Sequence, residues 1–207
     1  MNRQLLPRAI GLGFVSLALM GFEPGTAHYK PPHTNVSPPP LSRTVDQPFE
    51  AVWNTLIQKA ADSGYVLTGK DEETATLMFS FGALEPWQFV TGGHYRQSDP
   101  TPYHESQTRY GPVVTWRGDY VKFATEKRGG RLEASAKVKV TSVESRKTKV
   151  AVGATYEYLM GDVRWSFQTG DCVKMLVPDA RPDTPLERTL CPTHRAEEQL
   201  LKLATGD

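Results

Sequence analysis

Residues 132–140 and 150–158 alternate apolar and polar side chains, and this alternation restricts the fold more than any other feature. In the first run Leu132, Ala134, Ala136, Val138 and Val140 interleave with Glu133, Ser135, Lys137, Lys139 and Thr141. In the second, Val150, Val152, Ala154, Tyr156 and Tyr158 fall on one phase. A period of two is the strand repeat, so each run has one dry and one wet face. The polar turn at 144–147 is short enough only for an antiparallel hairpin. A sheet with one dry face needs a covering layer.

Helices at the two ends of the domain supply that layer. Phe49, Val52, Trp53, Leu56, Ile57 and Ala60 form a single stripe at helical spacing. Asp46 or Gln47 caps this helix, Pro48 sits in its first turn and Gly64 ends it. Near the C-terminus, Thr184-Pro185-Leu186-Glu187 fits a capping box for a short helical turn. Pro192 then opens a helix carrying Ala196, Leu200, Leu201, Leu203 and Ala204. Further strands are expected at 65–68, 76–81, 113–116 and 120–124, with one more marked by Val163, Trp165 and Phe167. The expected class is α+β: an antiparallel sheet with an N-terminal and a C-terminal helix packed on one face.

The first 27 residues read as a secretory signal. Arg3 and Arg8 precede an apolar stretch at 10–22, and Gly25-Thr26-Ala27 offers small residues for cleavage after Ala27. The apolar stretch has 13 residues, well short of the ~20 that span a bilayer. Residues 28–43 are rich in proline and read as a linker. A single domain follows at 44–207, with a long loop insertion at 82–112. The expected location is the periplasm, with outer-membrane association at most peripheral. The segment 28–207 carries 22 basic and 22 acidic residues, a balance that argues against nucleic acid as a partner. In an oxidising compartment the two cysteines, Cys172 and Cys191, are expected to form a disulfide. A metal pair or two free thiols are the rival readings.

Functional residues are sought in the 82–112 stretch. It holds Trp87, Phe89, His94, Tyr95, Tyr103, His104 and Tyr110 among small polar residues, a composition suited to recognising a partner. The plainer account is that Trp87 and Phe89 pin the loop to the body. His94 and His104 with Glu105 or Asp99 match no standard ligand spacing, so no metal is expected. Ser98 or Ser106 with a histidine lacks the elbow of a hydrolase, and no dinucleotide or phosphate loop is present, so neither catalysis nor a cofactor is expected. Residues 122–149 carry nine basic side chains against three glutamates; strand alternation explains them as a wet sheet face, and contact with phosphorylated or carboxylated envelope polymers is the rival reading. Arg117-Gly118-Asp119 is read as a coincidental tripeptide.

Pro48-Phe49-Glu50-Ala51-Val52-Trp53, running on to Gly64-Tyr65 and a turn with Asp71, resembles the opening of BamC-like bacterial envelope domains. Cys191-Pro192-Thr193, followed by Glu197 and Leu200-Leu201, is similar to the ending of such lipoproteins. The likeness covers roughly 44–81 and 131–204, although the lipid-anchor cysteine is missing. A helix-grip ligand-binding domain shares much of the pattern. The resemblance implies a module that binds an envelope protein or polymer, or assists assembly, without catalysis. The alternative is a carrier of a small apolar ligand in a helix-grip cavity.

Overall fold

The structure is a computed structural model and describes residues 26–33, 41–83, 85–99, 113–177 and 186–206. In chain order it runs β1 (Thr26–Lys30), β2 (Ser42–Val45), α1 (Phe49–Asp62), β3 (Val66–Asp71), β4 (Thr76–Ala83), β5 (Val90–Thr91), β6 (His94–Asp99) and β7 (Val113–Asp119). It continues with α2 (Tyr120–Arg128), β8 (Arg131–Glu144), β9 (Lys147–Met160), β10 (Val163–Gln168), β11 (Val173–Val177), β12 (Leu186–Pro192) and α3 (Arg195–Thr205). Among the described residues antiparallel strands dominate and three α-helices accompany them, so the class is α+β.

The main sheet follows the order β10-β9-β8-β4-β3, with β2 also paired to β9. The long alternating runs are its centre: Val138 faces Val152 and Val140 faces Val150 across the β8–β9 ladder. Ala134 lies opposite Tyr156, and the small residue leaves room for a ring that is fully buried. Val52, Leu56 and Ala60 of α1, with Ala196, Leu200 and Ala204 of α3, are wholly buried in the same core as Leu77, Phe79 and Val138. The valine, leucine and phenylalanine side chains each contribute roughly 1.5–3 kcal/mol when buried, while the alanines let the helices approach the sheet closely.

A polar network crosses this core. Glu197 on α3 is fully buried and accepts hydrogen bonds from the Tyr156 hydroxyl at 2.8 Å and the Thr169 hydroxyl at 2.6 Å. Thr169 also accepts from the Ala154 amide, so this cluster fastens α3 to β9. Beside it, Tyr65 donates to Gln199 at 2.8 Å.

Several local expectations are corrected. Pro48 itself stands at the N-cap of α1, with no side-chain cap from Asp46 or Gln47. Pro192 ends β12, so α3 opens only at Arg195, behind His194. The described part of the expected 82–112 loop carries the end of β4 and strands β5 and β6. Residues 120–124 are helix rather than strand: Asp119 caps the N-terminus of α2 through the Val121 amide, and Gly129 ends it in the left-handed region at φ 67°. Lys127 and Arg128 complement the last turn, so capping chemistry overrode a short apolar run. Leu186 and Glu187, assigned to a capped helical turn, belong instead to β12, which pairs with β11. Thr184 and Pro185 of that expected turn lie outside the described residues.

Cys172 and Cys191 are joined in a disulfide. It links the segment after β10 to the end of β12, where Cys191 pairs with Thr91 of β5.

Candidate binding face

Three short strands outside the main sheet form a second sheet, β1-β6-β7, whose two faces are chemically opposite. Directly paired residues share a face. One set of rows is Tyr29–Tyr95–Gly118 and Ala27–Gln97–Trp116. The other is Lys30–His94–Asp119 and His28–Arg96–Arg117. The aromatic rows turn inward. Tyr95 is buried and its ring lies 4.6 Å from Phe123, 5.4 Å from Tyr120 and 5.9 Å from Trp116. A Cβ at Gly118 would come within 2.8 Å of the Trp116 ring, so a larger residue there would have to displace the indole.

Arg188 of β12 fills the back of this aromatic layer. It is 5% exposed, and its guanidinium lies 4.3 Å from the Tyr29 ring, 5.1 Å from Tyr120 and 5.6 Å from Tyr95. The Tyr29 hydroxyl in turn accepts from the Thr189 amide at 2.7 Å. Residues 28–30, at the head of the expected linker, are therefore held to the body by the ring and the hydroxyl of Tyr29 and by the ladder to β6.

The other face is open. His28, Lys30, His94, Arg96 and Arg117 are all exposed. None of them forms an ion pair with a described carboxylate. Arg96 and Arg117 are direct cross-strand neighbours, an arrangement that costs stability because like charges face each other. The face closes at Ser98, which is buried.

Asp119 is the one described carboxylate in the two rows, and it is committed elsewhere. It accepts from the Thr91 hydroxyl at 2.6 Å, the Gly92 amide at 3.1 Å and the Val121 amide at 2.7 Å. Burial raises its pKa above the ordinary aspartate value, with those hydrogen bonds opposing the rise.

Beyond the Lys30–His94–Asp119 row the face drops into an open cleft of about 630 Å3. Its walls include Pro31, Pro32, His33, Arg117 and Pro192. Gly93, at φ 79°, lets the 30–32 segment lie directly against the β5–β6 turn: a Cβ there would collide with the Lys30 carbonyl and the Pro32 nitrogen. Tyr120 donates its amide to the Gly93 carbonyl at 2.9 Å, so the floor is fixed to α2.

The residues expected to recognise a partner are dispersed among different surroundings. His94 is exposed on the basic face, whereas Tyr95 is buried behind it. Phe89 packs 5.3 Å from Phe81, and Trp87 is half-buried with the Lys122 ammonium 5.3 Å above its ring. Tyr103, His104 and Tyr110 lie outside the described residues, as do Glu105 and Ser106. Among the described residues no three His, Cys, Asp or Glu side chains gather as a metal site. Lys137 and Lys139 lie on the wet face of β8. The basic face itself escaped sequence reading, although a signal existed: His28-Tyr29-Lys30 and His94-Tyr95-Arg96 repeat a basic–aromatic–basic triplet.

Compared with known proteins, the chain matches no protein-family model and no curated protein sequence.

Proposed function

We propose that this protein is an exported, non-catalytic binding module of the bacterial cell envelope, and that it recognises its partner through the exposed face of the β1-β6-β7 sheet and the adjoining cleft. One observation carries the proposal: Lys30, Arg96 and Arg117 stand together on an open surface whose single described carboxylate is already held by Thr91, Gly92 and Val121. A surface that retains like charges at a cost to its own stability is selected for something outside itself. The disulfide fits an oxidising compartment, in agreement with a signal removed after Ala27. Such a cut takes Thr26 and Ala27 from the start of β1 and leaves His28, Tyr29 and Lys30 paired with β6 in the folded domain.

The resemblance to BamC-like envelope domains supports the same reading. The apolar-carrier alternative draws less support, because α1 and α3 fill the space over the sheet with wholly buried Val52, Leu56, Leu200 and Ala204.

The test is photo-crosslinking in an exporting cell. A photoreactive amino acid at His94 is expected to give a discrete adduct, and one at Lys139 on the wet face of the main sheet is not. Equal labelling at both positions, or none at His94, overturns the proposal.

A further inference from the structure

Resting on the binding face proposed above, we infer that its ligand is a phosphorylated sugar, with the phosphoryl group held between Arg96 and Arg117 and the sugar body in the cleft. Adjacent antiparallel strands lie about 4.8 Å apart. Two guanidinium groups rooted at directly opposed positions can therefore close on one anion of a few ångströms. A carboxylate offers one edge and one charge, which a single guanidinium fork satisfies. A phosphoryl group offers three oxygens and close to two negative charges, which matches a pair of forks. Lys30 and the imidazoles of His28 and His94 lie on the same two rows and bring further donors to the same anion.

The cleft supplies the other half of the ligand. Its volume of about 630 Å3 lies in the range of small-molecule sites. Pro31, Pro32 and Pro192 present C–H surfaces suited to the apolar face of a sugar ring, while His33 and Lys30 offer donors to hydroxyl groups. Arg117 belongs both to the cleft wall and to the charged row, so the two halves are continuous.

Calorimetric titration of the exported protein with glucose 6-phosphate, glucuronate and glucose tests this assignment. Glucose 6-phosphate is expected to bind about tenfold or more tightly than glucuronate, the difference that one extra charge-assisted contact makes. Glucose is expected to bind least, and added salt to weaken the phosphate. A double variant, Arg96→Gln with Arg117→Gln, is expected to lose that binding while its thermal unfolding stays cooperative. Sedimentation with vesicles carrying a phosphorylated glycolipid, competed by the soluble sugar phosphate, separates a lipid-borne source from a free one. Equal affinity for the three sugars, or unchanged phosphate binding in the double variant, overturns the ligand class. If His94 still crosslinks in the cell after such a result, the binding face stands and only its ligand is wrong.

Discussion

Arg96 and Arg117 face each other directly across neighbouring strands, on an open surface and without a described carboxylate between them. Opposed like charges on a sheet cost roughly 0.2–1 kcal/mol. Arg96→Gln is therefore expected to raise stability by an amount of that order while weakening ligand binding. Denaturant titration beside a binding assay checks both directions; lower stability in the variant would mean that the pair is held by a compensating contact.

Glu197 is expected to be among the most sensitive positions in the core. It receives the Tyr156 and Thr169 hydroxyls with no exposure to solvent. Glu197→Ala leaves both without their acceptor and is expected to cost roughly 3 kcal/mol. Glu197→Gln keeps a carbonyl oxygen in place and is expected to cost less. Urea midpoints for the two variants give the comparison.

Alkaline pH is expected to weaken the fold through buried tyrosines. Burial pushes the Tyr158 hydroxyl up to about 12, and it raises Tyr65 and Tyr156 as well, with the Glu197 carboxylate adding to both. A raised folded-state pKa makes the contribution of each tyrosine complete below its unfolded value of 10.0 and lost as pH rises through the folded value. Stability is thus expected to be level below pH ~10 and to fall between there and pH ~12, with Tyr158 alone accounting for roughly 2–3 kcal/mol. Tyr158→Phe is expected to flatten part of that fall in urea midpoints measured across the range.

The disulfide closes a loop of 19 residues in sequence separation, and its removal is expected to cost roughly 3 kcal/mol. Cys191 pairs with Thr91 at the cleft, so reduction is also expected to weaken ligand binding. Thermal unfolding and titration with and without reductant check the two effects together.

The main sheet was legible because its side chains obey one period for long enough to exclude chance. Val138, Val140, Val150 and Val152 are buried, and Lys137, Lys139 and Lys149 are exposed, as the alternation requires. The helical stripe from Val52 to Ala60 was readable for the same reason. Short elements were not. Strand β6 carries a single apolar side chain, Tyr95, between charged and polar neighbours, and β1 ends where prolines begin. Their strand character comes from pairing with each other and with β7, a tertiary effect that no local window contains. Sequence alone therefore suggests a recognition role for Tyr95, whereas its ring is part of the packing around Arg188. Its neighbours on the opposite phase, His94 and Arg96, carry the exposed chemistry.

The most direct test of the binding face is an amide NMR spectrum of the exported protein, recorded with and without glucose 6-phosphate. Saturable shifts are predicted at Lys30, His94, Arg96 and Arg117 and at the glycines of the β5–β6 turn, Gly92 and Gly93. The wet face around Lys137 and Lys139 is predicted to stay still. Shifts confined to that wet face, or none on the β1-β6-β7 sheet, would contradict the account.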